Sequence, residues 1–79
     1  MEIRYFAGAA DAAGREAQTI DDPGRTVGDL VSTLTAGNER LGSVMAASSL
    51  LADGVRVGAY DHPLDGVTQL DVLPPFAGG

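Results

Sequence analysis

The sequence ends in Gly78-Gly79, and the chemistry that it offers most directly is that of a carboxylate on two residues without side chains. Because glycine has no Cβ, such an end can enter a channel too narrow for other residues and approach a reacting centre closely. A carboxylate accepts a nucleophile only after it has been activated. Adenylation by ATP would convert it into a mixed anhydride, from which a sulfur, amine or hydroxyl nucleophile displaces AMP. We therefore predict that the Gly79 carboxylate is the reactive group and that a partner enzyme binds the ATP.

The residues before the glycines indicate how this end is presented. Pro74 and Pro75 cannot continue a strand ladder and favour an extended polyproline conformation, so they lead the chain away from the preceding domain. Phe76 then carries a large apolar ring that needs a covering surface, which indicates a protein partner. We predict a domain over residues 1–73 and a projecting tail over residues 74–79. The alternative is a glycine-rich terminus without a role, as many chain ends are.

The rest of the chain offers little other chemistry. It contains no cysteine, which excludes disulfides, thiolate catalysis and cysteine-bound metals. The only histidine, His62, lies next to Pro63 in a predicted loop and is interpreted as a turn residue, because the serines lie elsewhere in the sequence. The aspartates lack the spacing of a calcium loop, and residues 8–14 lack the Lys-Ser/Thr ending of a phosphate loop. We predict no metal site, no bound cofactor and no enzyme activity of the chain on its own.

Composition narrows the class of partner. A length of 79 residues, 44% of them hydrophobic, fits one small globular domain. The net charge of −6 arises from 11 acidic residues against five arginines, and it disfavours nucleic acid as a partner. No apolar run approaches the roughly 20 residues that span a membrane, and no signal region is present, so we expect cytoplasmic residence. Four acidic residues of the second half would suit a basic groove on a partner or serve solubility alone. They are Asp53, Asp61, Asp65 and Asp71.

Two strands and a helix are expected in the first half. Alternating apolar and polar residues predict strands over residues 2–7 and 16–20, which form a hairpin across a glycine- and alanine-rich break at residues 8–14. Thr26 followed three residues later by Asp29 resembles a capping box, and the apolar stripe behind it predicts a helix that ends near Gly37. The stripe consists of Val27, Leu30, Val31 and Leu34.

The second half is predicted to hold a short helix and three strands. Asn38 can cap the helix, although Gly42 weakens its pattern. Residues 50–52 and 55–57 flank Asp53-Gly54, the dipeptide that best supplies the positive φ angles of a two-residue hairpin turn. After a loop at residues 61–66, a final strand ends at the prolines. These elements predict an α+β fold, with a helix across one face of a mixed sheet, while periodicity leaves the strand order open.

The whole pattern resembles the MoaD/ThiS family of small ubiquitin-like sulfur carriers, most closely MoaD, the small subunit of molybdopterin synthase. The resemblance implies a ubiquitin-like β-grasp in which the first and last strands are parallel and central. It rests on motifs spread over nearly the whole chain: Tyr5-Phe6-Ala7, Thr26-Val27 with Leu30, Leu50-Leu51-Ala52, Asp61-His62-Pro63-Leu64, Asp65-Gly66, and Pro74-Pro75 before Gly78-Gly79.

The resemblance also implies a function and partners. The terminal glycine would be adenylated by a MoeB-like enzyme that uses ATP and converted to a thiocarboxylate by a sulfur donor. The tail would then enter a MoaE-like large subunit and deliver sulfur to the cyclic pterin precursor of the molybdenum cofactor. Gly79 would carry the sulfur, and Pro75, Phe76, Ala77 and Gly78 would bind in the passage for the tail. The alternatives are a carrier for thiamine, cysteine or tRNA thiolation, a ubiquitin-like modifier of lysines on other proteins, and a binding module with an incidental tail.

Overall fold

The computed structural model describes residues 1–75 of the chain. The α+β class predicted from the sequence is confirmed, although the first two strands are shorter than the predicted spans of residues 2–7 and 16–20. The elements of the described residues follow in this order: β1 (Glu2–Tyr5), α1 (Gly8–Ala13), β2 (Ala17–Thr19), α2 (Val27–Thr35), α3 (Glu39–Ala47), β3 (Ser49–Ala52), β4 (Val55–Arg56) and β5 (Gln69–Leu73).

The strands form one mixed sheet with the order β2-β1-β5-β3-β4. β1 and β5 are parallel, with Glu2 opposite Gln69 and Tyr5 opposite Val72, and the other neighbouring strands are antiparallel. The first and last strands therefore lie side by side at the centre, as the resemblance implies. Because these two strands run in the same direction, they end at the same edge of the sheet.

The hydrophobic core lies between one face of the sheet and the helices. Ile3 of β1 and Leu70 of β5 are fully buried, as is Leu30 of α2. Burying an aliphatic side chain of this size contributes about 1.5–3 kcal/mol relative to leaving it exposed. The opposite face of the sheet carries the alternate residues of each strand. The helices leave that face uncovered, and we call it the helix-free face.

The start of α2 is fixed by the predicted capping box. Asp29 N–H donates to Thr26 Oγ1 at 3.2 Å, and the Asp29 carboxylate accepts from the N–H groups of Arg25 and Thr26 at 3.0 and 3.2 Å. These backbone hydrogen bonds lower the pKa of Asp29, because they favour the ionised carboxylate. Both residues of the capping box lie within one turn of the chain, so the sequence alone was enough to predict where the helix begins.

The second predicted helix is confirmed as α3, despite the glycine within it. Asn38 caps it by accepting from Leu41 N–H at 3.0 Å, and the same amide donates through Nδ2 to the carbonyl of Ala12 at 3.0 Å. Leu41 and Met45 then bury one face of the helix. Asn38 thereby connects the start of α3 to α1.

Residues 8–14 separate the first two strands as predicted, but the helix within them was not predicted. They contain α1, whose first turn includes a hydrogen bond from Ala9 N–H to Phe6 O at 3.0 Å. Alanine is the best helix former, and Ala9 is fully buried against the rest of the core. The glycines at the two ends of the segment are the reason why this helix was not predicted. Gly14, with a φ of 77°, ends the helix in the left-handed conformation.

The β3–β4 hairpin turns at Asp53-Gly54, as predicted. Both residues have positive φ, 48° and 83°, which is the requirement of a type I′ turn. The Asp53 carboxylate also accepts from Thr68 Oγ1 at 2.8 Å and from the N–H groups of Thr68 and Gln69 at 3.1 and 3.0 Å. These bonds, led by that of the Thr68 hydroxyl, lower the pKa of Asp53. The turn is therefore attached to the beginning of the central strand β5.

Candidate functional site

The chain leaves the sheet at Pro74, at the edge where β1 and β5 end. Leu73, the last residue of β5, lies opposite Ser49 of β3, and the strand stops at the prolines as predicted. Pro74 is half-buried and Pro75 is exposed. Pro75 is therefore the predicted site residue that the structure places at the surface. The other predicted site residues, Phe76, Ala77, Gly78 and Gly79, lie outside the described residues, and their roles stay predictions.

An ordered ion pair joins the two central strands on the helix-free face. Arg4 lies opposite Asp71, and it donates through Nε and Nη2 to the two carboxylate oxygens at 2.9 and 3.1 Å. Gln69 Nε2 donates to the same carboxylate at 3.2 Å. A bidentate pair holds both side chains in one geometry. This pair was not predicted from the sequence. Its signal was a pair of opposite charges at outward positions of the first and last strands, which the resemblance had placed side by side.

Phe6 is an exposed aromatic residue next to the end of β5, where the chain leaves the sheet. It was not predicted as a site residue. The residue is 37% exposed, and the guanidinium carbon of Arg4 lies 5.5 Å from the ring centroid, within the range of a cation–π contact. The backbone N–H of Phe6 donates to Val72 O at 3.2 Å, and its carbonyl accepts from Ala9. Both polar backbone groups of this residue are thus engaged. The ring is held on the same side of the sheet as Arg4.

Ala7, the next residue, has an unusual backbone conformation. Its φ and ψ angles are 49° and −126°, a combination that glycine adopts readily and that a residue with a Cβ rarely adopts. Such a conformation costs about 1–3 kcal/mol and persists only where the surrounding structure enforces it. Here it turns the chain from the end of β1 into α1. The strained residue therefore lies directly beyond Phe6.

The loop between β4 and β5 contains the Asp-His-Pro-Leu motif, and its observed role is structural. The carbonyls of Tyr60 and His62 accept from the N–H groups of Gly28 and Val27 at 2.8 and 3.0 Å. These are among the first N–H groups of α2, which have no partner within the helix. The side chain of Leu64 is buried in the core. The placement of His62 in a loop is confirmed, and the motif completes the beginning of α2.

The acidic residues of the second half divide into two groups. Asp71 is paired with Arg4, and Asp53 caps the beginning of β5. Pairing and burial remove Asp71 from the acidic surface that was expected to face a basic partner groove, whereas Asp53 stays exposed. Asp61 and Asp65 are exposed.

Three further properties of the described residues bear on ligand sites and membranes. No group of three His, Cys, Asp or Glu side chains in residues 1–75 is arranged to hold a metal ion. Every buried polar side-chain atom in this part of the chain has a hydrogen-bond partner. The helices described above include none that is long and apolar enough to cross a membrane.

Comparison with known proteins gives matches among solved structures. No family model and no curated protein matches the sequence. The crystal structure of SAMP1 from Haloferax volcanii is similar with a TM-score of 0.79 and 27% identity, over 100% of this chain and 98% of that chain. A second crystal structure, of H. volcanii small archaeal modifier protein 1, gives a TM-score of 0.78 and 26% identity over 96% and 97% of the two chains. A proposed molybdopterin converting factor, subunit 1, from Pyrococcus furiosus gives 0.71 and 19% identity over 95% of each chain.

The fold of this chain is a ubiquitin-like β-grasp. The topology described above and the similarity to these structures over nearly the full length of each chain establish it. The prediction of the fold is therefore confirmed. The chain shares this fold with small archaeal modifier protein 1 and with the proposed molybdopterin converting factor.

Proposed function

We propose that this chain is a ubiquitin-like sulfur carrier and the small subunit of molybdopterin synthase. The observation that supports this proposal most is that the central strand β5 leads directly into Pro74 and Pro75, with two residues between the prolines and Gly78-Gly79. A strand with hydrogen-bonded neighbours on both sides gives the end a fixed base, and the prolines direct it outward. The domain thus holds the base of the narrow C-terminal segment in a fixed position while the terminal acyl group reacts.

The proposed chemistry begins at the Gly79 carboxylate. In a MoeB-like adenylating enzyme, one carboxylate oxygen attacks the α-phosphorus of ATP, and pyrophosphate leaves. Sulfur at the oxidation level of sulfide, supplied by a donor, then attacks the carbonyl carbon. AMP departs with the electrons of the broken C–O bond, and a thiocarboxylate remains. Gly78 serves this chemistry because a residue without a Cβ lets the end pass into a narrow active site.

The proposed acceptor is a MoaE-like large subunit. Pro75, Phe76 and Ala77 would bind along its channel, so that the thiocarboxylate reaches the cyclic pterin precursor of the molybdenum cofactor. The large subunit would supply the general acid and base groups. The fold that this chain shares with the proposed molybdopterin converting factor from P. furiosus supports this acceptor.

The first experiment is an intact-mass measurement after incubation with a MoeB-like enzyme, ATP and a sulfur donor. Replacing one oxygen of the Gly79 carboxylate by sulfur adds roughly 16 Da to the C-terminal residue alone. A reaction without ATP is the control for adventitious sulfur. An unchanged mass, under conditions in which a known carrier is converted, would contradict the proposal, and so would a gain on any other residue.

The second experiment changes the position of the carboxylate. An alanine added after Gly79, or deletion of Gly79, moves the end by about 3.3 Å, whereas reaction geometry tolerates about 1 Å. We expect both variants to keep the unfolding temperature of the wild type and to lose conversion to the thiocarboxylate. Activity of the extended chain, with mass spectrometry showing that the added alanine is still present, would exclude the terminal carboxylate as the site.

The acceptor is tested separately from the activation. The thiocarboxylated chain is mixed with the MoaE-like subunit and the cyclic pterin precursor, and molybdopterin is measured. Formation of molybdopterin supports the proposed subunit role. A thiocarboxylate that forms normally and transfers no sulfur to the pterin would instead favour a carrier for thiamine, cysteine or tRNA thiolation.

A second candidate function is protein modification, which the 27% identity to SAMP1 over the full length of this chain favours. In that case a lysine amine of a target protein attacks the adenylated end and forms an isopeptide bond. Trypsin cleaves after arginine and lysine. The last arginine is Arg56 and the chain has no lysine, so digestion would leave residues 57–79 attached to a target lysine. Mass spectrometry of proteins isolated under denaturing conditions would detect this remnant. Its absence from cells that contain the activated chain would argue against modification.

A further inference from the structure

The chain contains two Asp-Gly dipeptides, Asp53-Gly54 and Asp65-Gly66, and both lie in turns. We propose that Asp65 is a site of spontaneous backbone modification, where its carboxyl group and the nitrogen of Gly66 close a succinimide ring that opens to isoaspartate. Asp53 is protected from the same reaction by its hydrogen bonds. This inference is independent of the proposed function, because the reaction takes place within the domain and needs no partner enzyme.

The reaction needs no reagent other than water. The backbone nitrogen of Gly66 attacks Cγ of the Asp65 carboxyl group, and the amide proton leaves with the carboxyl oxygen as water. Water then adds to the main-chain carbonyl of the ring, and cleavage of its bond to nitrogen leaves the chain joined through the side-chain carbon, which is isoaspartate. Addition of water at Cγ restores aspartate. Glycine is the favourable second residue because the absence of a Cβ allows close approach to its nitrogen.

The nucleophile is equally available in both turns. Neither the Gly54 N–H nor the Gly66 N–H donates a hydrogen bond within residues 1–75. Both glycines have positive φ, 83° and 76°. The two sites therefore differ at the aspartate that precedes the glycine.

The Asp53 carboxylate is bound to residues outside its own turn. It accepts from Thr68 Oγ1 at 2.8 Å and from the N–H groups of Thr68 and Gln69 at 3.1 and 3.0 Å. The carboxyl group must release these donors before it can react with the Gly54 nitrogen. The same bonds, led by that of the Thr68 hydroxyl, lower the pKa of Asp53 and keep it ionised, whereas the protonated carboxyl group is the form that loses water.

The Asp65 carboxylate has no such restraint within the described residues. The aspartates of residues 1–75 whose carboxylates accept hydrogen bonds are Asp29, Asp53 and Asp71. Asp65 is exposed, so its side chain can rotate toward Gly66 without burial or a lost hydrogen bond to oppose it.

Isoaspartate changes the turn that contains it. The product has an additional carbon atom in the main chain between Leu64 and Val67, where Val67 N–H donates to Leu64 O at 3.0 Å. Leu64 is buried in the core, and its N–H donates to Arg25 O at 2.9 Å, just before α2. We therefore expect the modified chain to have a lower Tm than the unmodified one.

The experiment is incubation of the full, folded chain at neutral pH beside a parallel sample in urea. Tryptic cleavage after Arg40 and Arg56 separates Asp53, in residues 41–56, from Asp65, in residues 57–79. Isoaspartate in each peptide is measured by methyl transfer from S-adenosylmethionine with an isoaspartyl methyltransferase. Isoaspartate has the mass of aspartate, so the modification does not affect the mass measurement at the carboxyl end.

The two samples have different expected results. In the folded chain we expect at least about tenfold more isoaspartate at Asp65 than at Asp53, because one hydrogen bond to an ionised carboxylate is worth about that factor. In urea the hydrogen bonds of Asp53 are lost, and we expect the two sites to differ by less than about threefold.

Two variants assign the effect to these residues. Asp65→Glu would have to close a larger ring, which forms less readily, and it should remove isoaspartate from residues 57–79. Thr68→Val removes the hydroxyl donor and should increase isoaspartate at Asp53. Thermal unfolding of each variant shows whether the domain is intact.

Any of three results would overturn the proposal. The first is isoaspartate at Asp53 that forms in the folded chain as fast as at Asp65. The second is a folded chain without isoaspartate at Asp65 over a time in which the sample in urea is converted. The third is fragmentation of residues 57–79 that places isoaspartate at Asp61 or Asp71 instead.

Discussion

Gly42, inside α3, allows a stability change to be derived directly from the structure. Its N–H donates to Asn38 O at 3.0 Å in the first turn of the helix. A Cβ built at this position would meet only the Cβ of Thr35, at 3.9 Å, which is an ordinary van der Waals contact. Glycine in a helix interior is less favourable than alanine by about 0.8–1 kcal/mol. Because no clash opposes this gain, Gly42→Ala should increase the free energy of unfolding by about 1 kcal/mol.

Gly28, in α2, is the matched control for this prediction. A Cβ there would lie 3.3 Å from the carbonyl oxygen of Tyr60, which already accepts a hydrogen bond from Gly28 N–H. The same gain in helix propensity is then opposed by displacement of the loop that completes the beginning of α2. We expect Gly28→Ala to be less stable than Gly42→Ala.

Thermal unfolding followed by circular dichroism measures the difference. For a domain of this size, 1 kcal/mol corresponds to a change in Tm of roughly 4–8 °C. Urea unfolding at 25 °C gives the free energies directly, provided that the slopes of the variants agree. A lower Tm for Gly42→Ala, or an equal gain for both variants, would refute the packing described around α2 and α3.

Three further predictions follow from the core, the capped carboxylates and the tail. Leu64→Ala should lower the free energy of unfolding by about 2–5 kcal/mol in urea, because a buried leucine holds the loop that completes α2, and a loss below 1 kcal/mol would contradict that role. The pKa values of Asp29 and Asp53 are lowered, so the unfolded chain takes up protons at higher pH than the folded one. Stability measured against pH should be constant above about pH 5 and decline as the pH falls through the lowered values, with a shallower decline in Asp29→Asn. Phe76→Ala should weaken the complex with a MoaE-like subunit by about 2–4 kcal/mol in a titration and leave Tm unchanged, whereas a lower Tm with unchanged affinity would mean that the ring belongs to the domain.

The parts of the fold that were predicted from the sequence are those determined by neighbouring residues. Thr26 and Asp29 form a reciprocal cap three residues apart, and Asp53-Gly54 supplies the two positive φ angles of one turn. These signals need no knowledge of the rest of the chain. Leu70 and Val72 alternate with Gln69 and Asp71 in the sequence, and both apolar residues are fully buried in β5, because a strand has a period of two residues wherever it lies in a sheet.

The remaining features depend on residues that are distant in the sequence. Helix α1 is stabilised by burial of Ala9 and by the bond from Asn38 to Ala12, neither of which can be read from residues 8–14. The ion pair between Arg4 and Asp71 joins residues 67 positions apart, and it requires the strand order. Periodicity gives the faces of strands and not their neighbours, so the exposed ring of Phe6 beside the end of β5 was missed. The chemistry expected of residues 76–79 stays a prediction.

The central position of β5 also determines how the domain responds to force. A partner that pulls on the residues after Pro75 applies tension along the axis of this strand. Its hydrogen bonds to β1 on one side and to β3 on the other lie across that axis, so the load is shared in shear by both ladders at once. A strand at the edge of a sheet, pulled away from it, would lose its bonds one after another. Tension on the C-terminal end therefore loads both ladders together and does not break the hydrogen bonds of β5 one after another.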